Sequence, residues 1–426
     1  MTQTDPQREF AIEIVQRLTD AGYLAYWAGG CVRDLLLGIA PKDYDVATDA
    51  IPNAVRKLFG RRRTQAVGAV FGVIIVHGGK DAGNVEVATF RTDGSYHDGR
   101  RPETVEYSTP QEDAKRRDFT INGMFYDPLQ QKVFDFVGGE KDLKDGTVRA
   151  IGNPHDRMNE DKLRLMRAVR FTAAFEFTLE ESTAEAIREM ADGIHAVSAE
   201  RISQELHRIL VDRHRRRAVE LLGKLGLLQK IYPEFLPFPQ EESTDDSLVW
   251  GKTLSMLQLL QEPRFETAAA VLFHAISFED EESLPKIASG ICRRQKFSNK
   301  ETDLILWLLK NRKVLGNAPE LKLSTLKRLM AHEHFGDLLA LTRVGLLAEN
   351  LDLNPVLFCE EFLRNTPWEE IDPPVLLTGD DLIVQGYRPS AQFREVLDKI
   401  RDAQLEGEIS TKREATKMAR QMFEKE

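Results

Sequence analysis

Over the first 150 residues, short apolar runs alternate with helical periods. Residues 5–22 place Phe10, Ile12, Ile14, Val15 and Leu18 on roughly one helix face, closed by Gly22. The apolar run YLAYWA reads as a strand that enters Gly29-Gly30 and then a helix around VRDLLLG. KDYDVAT alternates like a strand, IPNAVRKLF is helical, and AVFGVIIVHGG and NVEVATFR read as a strand pair parted by turn residues. From about Asp156 the period lengthens: EDKLRLMRAVRFTAAF, TAEAIREMADGI and AERISQELHRILV are helical, and nothing beyond them reads as sheet. Pro233 to Ser247, rich in Pro and acid, is a long loop, and a second acidic loop spans Glu279 to Ser283. The pattern predicts an α+β chain. A mixed α/β head over 1–150 precedes an all-helical neck (151–232), body (233–372) and tail (373–426).

Composition narrows the function classes. With 426 residues the chain is too long for one core, so several domains follow. Fifty-eight Lys and Arg against 68 Asp and Glu give a net charge of -10, which excludes a uniformly basic coat for nucleic acid. A polyanionic partner must meet local basic patches, of which RHRRRAVELL, with Arg215, Arg216 and Arg217, is the strongest and RRQKFSNK the next. Such runs also occur simply as solvated helix faces. Cys31, Cys292 and Cys359 lie far apart without a CxxC, so neither a disulfide scaffold nor a structural zinc site is expected. The N-terminus lacks the apolar core of a signal peptide, and no stretch reaches membrane-spanning length. A cytoplasmic protein without membrane contact or obligate protein partner is expected. His274, His332 and His334 read as packing or surface residues; no adjacent His-Asp pair of a metal-dependent phosphohydrolase occurs near them.

Chemistry concentrates in GGCVRDLLLGIAPKDYDVAT. Gly30 lets backbone approach a phosphate, and Arg33 stands at the start of the next helix. Asp43 and Asp45, two apart on a strand, would face one side and hold hard divalent cations together. Glu86, in the neighbouring strand VEVATFR, is a candidate third carboxylate. These are the parts of a nucleotidyl transfer in which two metals bridge phosphate oxygens. A lone DxD is more often a solvated turn; the order GG, VRD, LLG, DYD is what carries weight.

That order resembles the nucleotidyltransferase superfamily, and within it the class II CCA-adding tRNA nucleotidyltransferases and the bacterial poly(A) polymerases. RRDFTINGM, residues 116–124, is similar to the family's RRDFTxNA. The resemblance implies that Arg117 pairs with phosphate while Asp118 and Asn122 read a ribose hydroxyl; the plain alternative is a helix start capped by Asp118. DLKDGTVRAIG resembles the neck strand, with Asp142 and Arg149 as a structural ion pair. EDKLRLMRAVRF is similar to the family's EDxxR motif. On a helix Asp161, Arg164, Arg167 and Arg170 would form one stripe, either a solvent-facing ion-pair ladder or a base-reading edge. A carboxylate accepts from the exocyclic amine of cytosine or adenine, and a guanidinium donates to ring nitrogens or a carbonyl. Uracil and guanine would present the opposite polarity, at a cost of about 1–3 kcal/mol per mismatch.

AERISQELHRIL resembles the following family motif and reads as structural, with Glu200 bracing a helix. Residues 91–115 match the family's flexible loop, in which Arg100 and Arg101 are candidates, against a reading as solvated chain. The tail from Pro374 to Ser410 resembles the segment that contacts the tRNA elbow. The resemblance implies addition of CMP and AMP, from CTP and ATP with two Mg2+ ions, to the tRNA 3′ end, with release of pyrophosphate. Addition of AMP to RNA ends, partial CC or A addition, and a non-catalytic RNA-binding protein on a degenerate transferase scaffold remain the alternatives.

Overall fold

The structure, a computed structural model, describes residues 5–66, 72–93, 105–239, 245–278 and 280–424. The chain divides into two compact units, Met1–Gln240 and Glu241–Glu426. The boundary falls inside the Pro- and acid-rich stretch.

The first unit is built on a seven-stranded sheet. Its strands are β1 (Ala25–Ala28), β2 (Asp45–Thr48), β3 (Thr64–Ala66), β4 (Val73–His77), β5 (Asn84–Thr89), β8 (Phe125–Asp127) and β9 (Lys132–Phe134), in the order β3-β4-β5-β2-β1-β8-β9. Helix α1 (Pro6–Asp20) begins where Asp5 accepts the amides of Gln7 and Arg8, with Pro6 preset for the first turn. It lays Phe10, Ala11, Ile14, Val15 and Leu18 against the strands. Trp27 of β1 is fully buried and lies 4.7 Å from the Tyr44 ring. Strands β2 and β5 run parallel with Asp45 opposite Glu86; all other pairings in this sheet are antiparallel.

Two features of the head differ from the periodicity reading. Asp43 lies in a bend before β2 rather than on the strand, so strand alternation does not align it with Asp45. The segment 91–115 is not plain loop at its described ends. There, β6 (Arg91–Asp93) and β7 (Val105–Tyr107) form an antiparallel ribbon, followed by α4 (Pro110–Lys115). Arg100 and Arg101 lie outside the described residues.

The neck carries a surprise for an all-helical assignment. β10 (Thr147–Val148) pairs in parallel with β11 (Thr178–Leu179), two residues each and too short to show alternation. Helix α7 (Arg164–Ala174) packs on this ribbon, and α6 (Pro154–Glu160), α9 (Ala199–Val211) and α10 (Arg215–Lys224) pack on α7, with α8 (Glu181–Glu189) against α6 and α11 (Leu227–Ile231) against α10. The ion pair expected between Asp142 and Arg149 is present, Nε donating at 3.1 Å, and Thr120 Oγ1 donates to the same carboxylate at 2.7 Å.

Among its described residues the second unit is helical, from α12 (Asp245–Leu259) to α22 (Lys412–Phe423). Capping boxes start three helices, at Ser298, Thr378 and Thr411. The tail has its own apolar core of Leu377, Leu382, Phe393, Val396, Ile400, Ala415 and Ala419. His332 stacks on Trp307 with centroids 3.8 Å apart, and His274 faces Thr253, its pKa pushed down to about 4 by burial and then by Lys252 and Arg312. No helix of the described residues is long and apolar enough to cross a membrane.

Candidate active site

A cleft of about 630 Å³ opens in the first unit, and the turn that leaves β1 at Gly29 forms one lip. Gly29 holds φ +74 there, a conformation open to glycine, and a Cβ would stand 2.9 Å from Arg117 Nη1. Helix α2 (Gly30–Leu36) follows and carries Arg33, which donates to Asn122 Oδ1 (2.7 Å) and pairs with Asp34. Eleven residues singled out from the sequence line this one cleft. They are Gly30, Arg33, Asp43, Asp45, Arg117, Asp118, Asn122, Asp161, Arg164, Arg167 and Arg170.

Asp45 keeps solvent access through the mouth yet is walled by protein. That desolvation, then the charge of Glu86, pushes its pKa up to about 6; Asp43 adds to the effect and Arg117 opposes it. Glu86 does not line the cleft but stands beside Asp45 on β5. Asp43 and Glu86 thus lie close enough to Asp45 for their charges to act on it. Among the described residues no three acidic, His or Cys side chains converge as a complete metal cage. Two carboxylates completed by substrate oxygens are the donor set that suits Mg2+, which favours few protein ligands plus phosphate.

The RRDFTINGM segment folds as a 3-10 turn over Thr120–Asn122. Asp118 accepts from the Phe119 amide (2.8 Å) and from Asn122 Nδ2 (3.0 Å), but the turn's N-cap is Phe119 and no side chain caps it, so the helix start capped by Asp118 does not form. It also accepts from Arg167 Nε and Nη2 (2.9 and 2.5 Å). Burial alone would raise its pKa; Arg167 holds it well below the usual carboxylate range instead. Gly123 has a packing cause: a Cβ there would stand 2.6 Å from Val137 Cγ2 and 3.0 Å from Ile151 Cδ1.

The expected stripe on a single helix is not what forms. Helix α6 ends at Glu160, Asp161 is extended (φ -150, ψ 104), and α7 starts only at Arg164. Asp161 Oδ1 accepts the Leu163 amide at 3.0 Å, a local turn that competes with helix continuation. Asp161 and Arg164 still face the same cleft, across a helix break rather than along a helix face. Arg201 of α9 grips both Asp161 oxygens, at 3.0 and 2.7 Å. Arg164 Nη1 donates to Glu160 (2.5 Å) and the Arg157 carbonyl (2.8 Å), and Nη2 to the Arg116 carbonyl (3.2 Å). Arg170 pairs with Glu205, a carboxylate 1% exposed that also takes Arg208.

Sequence reading missed much of this support. Asp113, 1% exposed, holds both Arg116 and Arg117, although the i, i+3, i+4 spacing on α4 was visible. Arg201 and Glu205 have partners 40 and 35 residues away, which no local spacing signals.

The basic run at 215–217 requires a correction as a candidate RNA contact. Arg215 is 3% exposed, its Nε donating to the Leu210 carbonyl (2.9 Å) inside the helix packing. Arg217 donates to the Phe177 carbonyl (2.6 Å), which leaves Arg216 as the exposed member. Consecutive residues on a helix point 100° apart, so a run of three cannot share one face.

Comparison with known proteins agrees with the geometry. Residues 25–149 match the family described as "Poly A polymerase head domain", and residues 176–238 match "Probable RNA and SrmB- binding site of polymerase A". A CCA-adding enzyme of Lactobacillus helveticus is 38% identical over 267 residues, 59% of this chain and 64% of that protein. Poly(A) polymerase I of Escherichia coli O157:H7 is 39% identical over 239 residues, 53% of this chain and 50% of that protein. These matches thus span less than two thirds of either relative's length. The crystal structure of Bacillus stearothermophilus CCA-adding enzyme in complex with CTP superposes with a TM-score of 0.76 at 27% identity, covering 98% of both chains. The head and the helices that follow it are thus both similar to segments of CCA-adding enzymes and bacterial poly(A) polymerases.

Proposed function

We propose that this chain adds CMP and AMP from CTP and ATP to the 3′ end of tRNA, releasing pyrophosphate, with no nucleic-acid template. The observation that carries the reading is the meeting, in one cleft, of the Asp43 and Asp45 carboxylates with the Asp161 and Arg164 pair. Asp43 and Asp45, with Glu86 beside them, would hold two Mg2+ ions. Such ions, when bound, neutralise the triphosphate and lower the proton affinity of the primer hydroxyl. The cleft's guanidiniums serve the phosphates, with Arg117 and Arg33 at the glycine turn and Asn122 and Asp118 toward the ribose.

Base choice follows from the donors left over. A guanidinium has five N–H groups; Arg164 spends two on Nη1 and one on Nη2, which leaves Nε–H and one Nη2–H. Two donors suit N3 and O2 of cytosine, and one of them suits N1 of adenine. Asp161, although held by Arg201, keeps lone pairs for the exocyclic amine that both bases carry.

Addition of AMP alone to RNA ends is the second reading, favoured by the identity to poly(A) polymerase over the head. The match to a CCA-adding structure along 98% of both chains favours the first. Incubation with labelled CTP and ATP and a tRNA lacking its 3′ CCA separates them. Extension by C, C and A in order supports the proposal, and an A-only ladder on varied RNA ends supports the competitor.

A further inference from the structure

Three guanidiniums converge on one ring. Phe171, on α7 and 5% exposed, forms part of the cleft wall. The guanidinium carbons of Arg33, Arg167 and Arg170 lie over its ring at 5.2, 5.2 and 4.2 Å from the centroid. Arg33 also lies over Phe175, at 4.5 Å, and Phe175 stacks on Phe171 at 6.1 Å with the planes 11° apart.

Three cations drawn to one partly desolvated point repel one another. Each has a carboxylate: Asp34 for Arg33, Asp118 for Arg167 and Glu205 for Arg170. Each of those anions pairs with its guanidinium from a neighbouring residue or element, and Glu205 also acts on Arg167. What all three share is the electron-rich face of one aromatic ring. An aliphatic side chain of similar volume would fill the space without attracting charge. Arg33 belongs to the head helix after the glycine turn, whereas Arg167 and Arg170 belong to the neck, so the ring also spans the two.

We propose that Phe171 is a positioning residue. Its π face holds Arg33 and Arg167 at the spacing with which they receive the polyphosphate of a nucleoside triphosphate. The inference rests on the reading of this cleft as a nucleotide site and adds to it a residue that acts through its arginines.

The test replaces Phe171 with mono-, di- and trifluorophenylalanine, which withdraw electron density from the ring face in steps while nearly preserving its shape. Binding of CTP and ATP is followed by titration calorimetry, and KM and kcat are measured alongside. The expected result is a graded loss reaching about tenfold in affinity at the trifluoro ring, with KM rising in parallel and kcat at saturation little changed. Phe171→Leu is expected to lose at least as much. Thermal unfolding reports whether Leu is tolerated; if it is not, the fluorinated series still decides. A flat affinity across the fluorinated rings, with or without a loss in Phe171→Leu, would assign the ring to packing alone and overturn the proposal. Wild-type protein that bound neither CTP nor ATP would instead overturn the nucleotide reading on which it rests.

Discussion

Replacing Asp113 by Asn removes a charge that two cleft arginines share. Asp113 Oδ1 takes Arg116 through Nε and Nη2 (2.9 and 2.7 Å) and the Arg91 amide (3.2 Å). Oδ2 takes Arg117 through Nε and Nη2 (3.2 and 2.9 Å). Asn keeps the shape but has no negative charge, and its amide NH2 turns a donor toward guanidinium donors. Breaking a buried charge network costs about 3–5 kcal/mol, and the 19–21% exposure of the two arginine side chains argues for the lower end. At about 3 kcal/mol, a unit of this size should melt about 6–12 °C lower. Burial would raise the Asp113 pKa, but Arg117 and Arg116 hold it below the ordinary 3.8. A depressed carboxylate contributes stability that is full above its unfolded pKa and is lost as pH falls through its folded one. The gap between wild type and Asp113→Asn should therefore be widest near neutrality and narrow as pH falls below 3.8. Calorimetric melting of both proteins across pH measures this. A neutral-pH difference under about 2 °C, or a gap that does not narrow in acid, would refute the assignment of Asp113 as the anchor.

Three further outcomes are expected. The raised pKa of Asp45 means that protons compete with a cation below about pH 6, so Mg2+ should raise the melting temperature at pH 8 but not at pH 4.5. Asp45→Asn should abolish both that effect and nucleotide addition; an undiminished Mg2+ shift in the variant would disprove the metal role. Asp161→Ala should narrow the discrimination against UTP and GTP, and Arg164→Ala should weaken CTP and ATP use together by about 1–3 kcal/mol in kcat/KM. Unchanged selectivity over all four nucleotides in Asp161→Ala would move base reading elsewhere. Arg215→Gln should lower stability and leave the salt dependence of tRNA binding as in wild type, since its guanidinium is packed inside; a flattened salt slope would contradict that placement.

The sequence was most informative where chemistry sits on local pattern. Gly29-Gly30, Asp45 and Asn122 are set by a turn, a strand and a 3-10 helix, each encoded within a few residues. Asp161 shows the limit. The spacing to Arg164 and Arg167 suited a helix, but an Asp that bonds to the amide two residues on can end one, and only the packing of α6, α7 and α9 decides which happens. Arg201 was unreadable for a related reason: its partner is brought by tertiary structure from 40 residues away. Arg215 failed in the opposite direction, because a charge run states composition while the helix turn sorts its members between core and water.

Among the described residues eight arginines line the cleft, Arg33, Arg116, Arg117, Arg164, Arg167, Arg170, Arg201 and Arg208, and no lysine does. The described wall that would meet the phosphates therefore presents no primary amine. Acetylating enzymes and reactive acyl phosphates act on the amine of lysine, so they find no target among these cleft residues. The charge of this cleft is insulated from the cell's acylation chemistry even where the rest of the surface is modified.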